Sequence, residues 1–169
     1  FWMPGIHRGV GDERRFLLRD AAAAAHGYGM KDVFCEAFTG GNDPWRESPF
    51  CMKPCADQAF CDGCNLIVFH NYSHSPSLTA KPGYAYFAGT HYSRTVTWWE
   101  QTPAFNAYVG RCSYLLQQGL FVADALYYRG DAIGQIEQMK PRPALPAEGY
   151  DHDNCNFDVL LHRLSVRDG

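Results

Sequence analysis

The sequence predicts an α/β fold in which a parallel sheet is covered by helices, and three observations carry that expectation. An alanine-rich helical segment spans 12–30. Two short apolar runs, 33–38 and 66–70, follow it with a second helical pattern between them. The alternation then resumes, with a helical pattern over 103–118 and another apolar run over 121–128. Parallel neighbours need a helix-sized crossover, and this spacing supplies one.

In chain order, Asp12 suits a helix N-cap, the residues after it are strong helix formers, and Gly27 and Gly29 mark the exit. Five consecutive alanines make this helix thin enough to lie close to a sheet. The run 33–38 reads as a buried strand interrupted by Glu36 and closed by the loop signal Thr-Gly-Gly-Asn-Asp-Pro at 39–44. Pro54 suits the first turn of a second helix running through Ala56, Ala59 and Phe60 to Gly63. The run LIVFH at 66–70 is the next strand. Segment 71–97 is polar, aromatic and punctuated by Gly and Pro, long for a connector, and predicts a functional loop or a short hairpin. In the helix over 103–118, Phe105, Tyr108, Val109, Cys112, Leu115 and Leu116 share a face, and Gly119 ends it. The run 121–128 reads as a strand, KPRPALP at 140–146 breaks the pattern, and a final helix is expected over 156–164. A domain boundary is placed near Gly119, dividing 1–119 from 120–169.

With 46% apolar and 20% charged residues the chain has the composition of a packed globular protein. Its 169 residues fall short of the roughly 250 that a complete (β/α)8 barrel requires. It begins at Phe1 and stops without a closing element, so an excerpt of a longer protein is expected. A net charge of -3 and no run of Lys or Arg give no electrostatic footprint for nucleic acid or an anionic membrane. No apolar stretch is long enough for a spanning helix. Aromatic residues reach 15%, which suits a cleft where rings stack on sugar faces, although cores and interfaces use them too.

Glu36 is the most informative position. It lies late in an apolar strand, where a carboxylate is rare unless paired or functional, and the C-terminal ends of parallel strands carry the sites of such folds. A buried structural carboxylate is the competing reading. His70 occupies the corresponding place on the next strand, and His74 follows in the same loop; each suits a contact to a sugar hydroxyl or carboxylate, or a scaffold role. Trp45, Trp98 and Trp99 sit near strand-end connections and are candidate subsite walls, with core packing as the alternative. His91, Arg94 and Glu100 read as scaffolding, and Asp124 as structural. Cys51, Cys55, Cys61 and Cys64 give C-x3-C-x5-C-x2-C, spaced unlike the usual zinc sites, so zinc is not expected; strained disulfides and free thiols both remain open. Cys35 should point to the face opposite Glu36. The chain holds no GxSxG, phosphate-cradling glycine loop or HExxH.

Taken together, AAAAAHGYGMKDVFCEAFTG, DQAFCDGCNLIVFHNYSHSP and the stretch from PGYAYFAGTHYSR through TWWEQTPAF to LLQQGLFVADALYY resemble the α-L-rhamnosidases of glycoside hydrolase family 106 over nearly the whole chain. The resemblance implies the C-terminal portion of a (β/α)8 TIM barrel, with Glu36 and His70 ending its seventh and eighth strands. The start of an α/β domain of flavodoxin-like or glutamine-amidotransferase-like type then follows. It implies an inverting hydrolysis of terminal rhamnose on a plant oligosaccharide or polysaccharide, assisted by calcium. Glu36 becomes the general base, the acid lies outside these residues, and His70 and His74 contact substrate. No calcium ligand is assigned; Asn42 and Asp43 are merely oxygen-bearing loop residues. The cysteines at 51, 55 and 64 depart from the family pattern. A retaining β-galactosidase-like enzyme and a non-catalytic carbohydrate-binding module stand as alternatives. Export to the periplasm or the medium is the expectation for the full-length protein.

Overall fold

The computed structural model describes residues 12–39, 45–128, 130 and 149–167, with only the backbone of 12–17. Asn42, Asp43 and the proline-rich 140–146 lie outside the described residues. Nine elements are present among those described: α1 (Asp12–Gly27), β1 (Phe34–Ala37), α2 (Pro49–Cys61), β2 (Leu66–Phe69), a 3-10 turn (Trp99–Gln101), α3 (Thr102–Leu116), β3 (Ala125–Tyr128), β4 (His152–Cys155) and α4 (Phe157–His162). The fold is mixed α/β, as the sequence predicts.

Helix α1 lies close to its neighbours because alanine has almost no side chain to hold them off. Ala22, Ala23 and Ala25 are buried, and a Cβ on Gly63 would lie 2.6 Å from that of Ala22. The helix stops where Gly29 turns left-handed at φ +70, the Met30 amide reaching back to the Ala25 carbonyl at 2.8 Å.

Strands β1 and β2 pair in parallel, with Glu36 opposite Val68 and Ala37 opposite Phe69. Alternation sends Cys35, Ala37 and Ile67 into the core beside Met52, Ala56 and Ala59 of α2. Glu36 therefore lies on the other face with Phe34, Leu66 and Val68, and those three apolar side chains are exposed. The Asn65 side chain ties the strand starts together: its Oδ1 accepts from the Val33 amide at 2.8 Å and its Nδ2 donates to the Lys31 carbonyl at 2.7 Å.

Several local expectations need correction. Helix α2 starts one turn earlier than predicted, with Pro49 in its first turn and Pro54 inside it, because Ser48 already breaks into extended backbone at the N-cap. In α3 the buried stripe is Thr102, Phe105, Val109 and Ser113, and Leu115 and Leu116 are exposed. Segment 71–97 contains no hairpin; it is an irregular loop pinned at its ends. The strand predicted over 121–128 is confined to its second half, where β3 pairs in parallel with β4, a polar strand the apolar pattern could not reveal.

Strand β4 is held against α1 by charge. Arg19 meets Asp151 at 2.7 Å, His26 meets Asp153 at 2.7 Å, and Asn154 donates to Asp20 at 2.8 Å. Asp124 accepts from the Asp151 amide at 2.9 Å, the structural role expected of it. Asn156 caps α4 by accepting from the Val159 amide at 3.0 Å. No helix among the described residues is long and apolar enough to cross a membrane.

Candidate functional site

The C-terminal ends of β1 and β2 bring the candidate residues Glu36 and His70 side by side. Past Ala37 the chain turns through Phe38, a buried non-glycine residue at φ 65, which bends the backbone so that Thr39 returns toward the strand it has left. The Thr39 hydroxyl donates to Glu36 Oε1 at 3.1 Å. The Glu36 carboxylate is half-buried and held through one oxygen.

His70 sits one residue beyond β2, its amide bonded to the Ala37 carbonyl at 2.9 Å, which sets it beside the end of β1. Its Nδ1 is buried without a hydrogen-bond partner. An unpaired buried lone pair costs less than an unpaired buried N–H, so the favoured tautomer carries its proton on Nε2 and presents that edge as a donor.

The long loop returns to close this end of the sheet. The Thr90 amide donates to the Phe38 carbonyl at 2.8 Å, the Asn71 amide to the Thr90 carbonyl at 3.2 Å, and the Tyr92 amide to the Asn71 carbonyl at 3.2 Å. Segment 90–92 thus bridges the two strand ends. Beneath it the Thr90 hydroxyl donates to Glu47, a buried carboxylate that the sequence reading passed over. No periodic pattern flags Glu47, which precedes α2 in a loop; its one signal is a charge placed two residues before a proline at a helix start. Burial, with the Glu47 charge second and Cys51 third, pushes the Cys55 thiol up to about 11.

Trp45 tilts against His91, ring centroids 4.0 Å apart, and these two line a shallow hollow with Asn71, Ser73, Tyr84 and Ser93. Burial holds the His91 imidazole below its ordinary pKa. A ring wall above hydroxyl and amide groups is the chemistry of a saccharide subsite. Trp98 and Trp99 go elsewhere: both pack on the core, with Tyr92 edge-on to each at 5.4 and 5.8 Å, and Trp99 also meets Tyr72 at 5.9 Å. His74 is exposed on the loop. Arg94 donates to the carbonyls of Ser77 and Leu78, fastening the loop to itself.

None of the seven cysteines is joined in a disulfide. Cys35 lies opposite Glu36 in the core, where its hydrogen bond to Cys64 and its burial push its thiol up. Within the C-x3-C-x5-C-x2-C run, Cys55 and Cys64 are buried while Cys61 is exposed. Among the described residues no group of three or more His, Cys, Asp or Glu is placed to hold a metal ion.

Comparisons with known proteins find similar chains. The family profile described as alpha-L-rhamnosidase, glycoside hydrolase family 106, matches residues 1–169. A protein of Formosa agariphila named "Putative beta-glucuronidase" is 37% identical over 149 residues, covering 88% of this chain and 12% of that protein. The solved structure of a rhamnosidase from Novosphingobium sp. PP1Y superposes with a TM-score of 0.84 at 28% identity, covering 98% of this chain and 16% of that one. The chain therefore spans about one-eighth to one-sixth of the length of these relatives.

Proposed function

The chain belongs to glycoside hydrolase family 106, the α-L-rhamnosidases, and from that premise we propose that it forms part of an inverting glycosidase that removes terminal α-L-rhamnose from plant glycans. The observation that carries the reading is Glu36: a carboxylate at the C-terminal end of a parallel strand, on the face away from the helices, with one oxygen held by Thr39. The exposed Phe34, Leu66 and Val68 around it support a barrel interior that further strands would cover. The boundary near Gly119 would then divide the barrel from the domain that opens with β3.

Inversion uses two carboxyl groups roughly 6.5–9.5 Å apart. In this reading Glu36 takes a proton from a water molecule as that water attacks the anomeric carbon. An acid from another part of the full-length enzyme protonates the departing glycosidic oxygen. His70 Nε2 donates to a hydroxyl of the bound sugar, Trp45 with His91 forms a wall, and the exposed His74 contacts the glycan farther out.

The 37% identity to the protein named as a glucuronidase favours a second reading, a retaining β-glycosidase in which Glu36 is the nucleophile. The anomer of the first-formed product, read by NMR, separates the two. Glu36→Gln in the full-length enzyme should lower turnover of methyl α-L-rhamnoside by about a thousandfold or more with the fold intact; turnover at the wild-type rate would sink the assignment.

A further inference from the structure

The loops that follow β1 and β2 meet at a buried hydrogen bond. Glu47, 6% exposed near the end of the first loop, accepts from the hydroxyl of Thr90, 1% exposed and late in the second. Their neighbours meet as well: Trp45, two positions before Glu47, lies against His91, the residue after Thr90. Water does not compete for a bond so enclosed, and deleting its acceptor costs more than deleting that of an exposed bond.

Thr90 passes this anchorage on through its backbone. Its amide donates to the Phe38 carbonyl at 2.8 Å, and its carbonyl accepts from the Asn71 amide at 3.2 Å and the Tyr92 amide at 2.8 Å. Phe38 is the left-handed residue, φ 65, whose turn carries Thr39 back to Glu36 Oε1. A bulky residue keeps such a backbone only where its surroundings impose it, and the Thr90 amide holds the carbonyl of that turn. A continuous path therefore runs from Glu47 through Thr90, Phe38 and Thr39 to Glu36, every link a hydrogen bond or a peptide bond.

We propose that Glu47 is a positioning residue: by holding Thr90 it fixes the turn at Phe38 and, through Thr39, the direction in which Glu36 presents its carboxylate. The inference rests on the glycosidase reading above, in which Glu36 is the reacting group, and adds to it a buried carboxylate that acts without touching substrate. The Thr90 hydroxyl asks only for an acceptor, so the amide oxygen of a glutamine can serve in place of the carboxylate.

The test is a double-mutant cycle on kcat in the full-length enzyme, with methyl α-L-rhamnoside at saturation so that weaker substrate binding does not enter. Glu47→Met keeps the length of the side chain and removes the acceptor, and kcat should fall about fivefold or more. Thr39→Val, which alone should cost about fivefold, should cost less than about twofold when added to Glu47→Met, because the link it cuts is already slack. Glu47→Gln should keep most of the rate. A full fivefold further loss in the double variant makes the two effects independent and overturns the positioning role, as does wild-type kcat in Glu47→Met. Glu47→Gln as slow as Glu47→Met overturns it too, by showing that the charge itself is needed. If Glu47→Met does not fold, Thr90→Val, which deletes the same bond from the donor side, replaces it in the cycle. Wild-type turnover in Glu36→Gln removes the glycosidase reading instead.

Discussion

Gly89 leaves no room for a side chain against His70: a Cβ would lie 2.3 Å from the imidazole Nδ1 and 2.7 Å from the His70 carbonyl oxygen. The second contact is with backbone, so rotating the ring does not relieve it. Gly89→Ala should destabilise the full-length protein by more than about 2 kcal/mol, combining left-handed strain with displacement of the strand end. Gly119→Ala is the control, since Gly119 has φ +81 and nothing within 4 Å of its missing Cβ. It should cost only the strain, about 1–2 kcal/mol. Denaturant melts of the two variants read the difference, and turnover should fall only in the first.

The bond from Thr39 to Glu36 predicts a separate effect on chemistry. Thr39→Val keeps the shape of this buried residue and deletes the donor, leaving the carboxylate to rotate. The expected outcome is a fall in kcat of about fivefold, matching the roughly 1 kcal/mol of one such bond, with KM little changed. Thr39→Ser should recover most of the rate. Steady-state kinetics on methyl α-L-rhamnoside check both, and a KM effect alone would mean that Thr39 touches the sugar rather than the base.

Why some of this was legible and some was not follows from what each residue contributes. The β1–α2–β2 unit announces itself because Cys35, Ala37 and Ile67 must be apolar to meet α2, and a lone Glu36 among them stands out. Strand β4 has no such signature: His-Asp-Asn-Cys forms a strand because Asp151 and Asp153 reach Arg19 and His26, residues more than 100 positions away. Glu47 was missed for the same reason, its partner Thr90 being 43 residues distant. Trp98 and Trp99 look identical in sequence to subsite walls. The edge-on contacts of Tyr92 show the packing role that the sequence left as the alternative.

The cysteines should differ in reactivity according to burial. Cys61 is exposed at the end of α2, whereas Cys35, Cys55 and Cys64 are buried, and Cys55 is further protected by a thiol pushed up to about 11. Brief iodoacetamide treatment at neutral pH followed by peptide mass spectrometry should find Cys61 alkylated first. The three buried thiols should label only after denaturant is added. Early labelling of Cys55 would contradict its burial, the main cause of its raised thiol.

The contact between α1 and β4 should weaken in acid. Partial burial acts to raise the Asp151 carboxyl, but the hydrogen bond from Arg19 and the His152 amide, with the Arg19 charge, outweigh it and hold the group below the ordinary carboxylate value of 3.8. A depressed folded-state pKa means that the unfolded chain binds the proton more readily. The stabilisation is therefore present above the unfolded value and is lost as pH falls through the folded one. Asp151 remains well exposed, so solvent screening keeps the effect small. Melting temperatures from pH 6 down to about 2 should show a decline below about pH 4 that is shallower in Asp151→Asn. Arg19→Met should flatten it in the same way, because it removes the cation that depresses the carboxyl. Identical slopes in all three proteins would show that the ion pair contributes nothing to holding β4 against the helix.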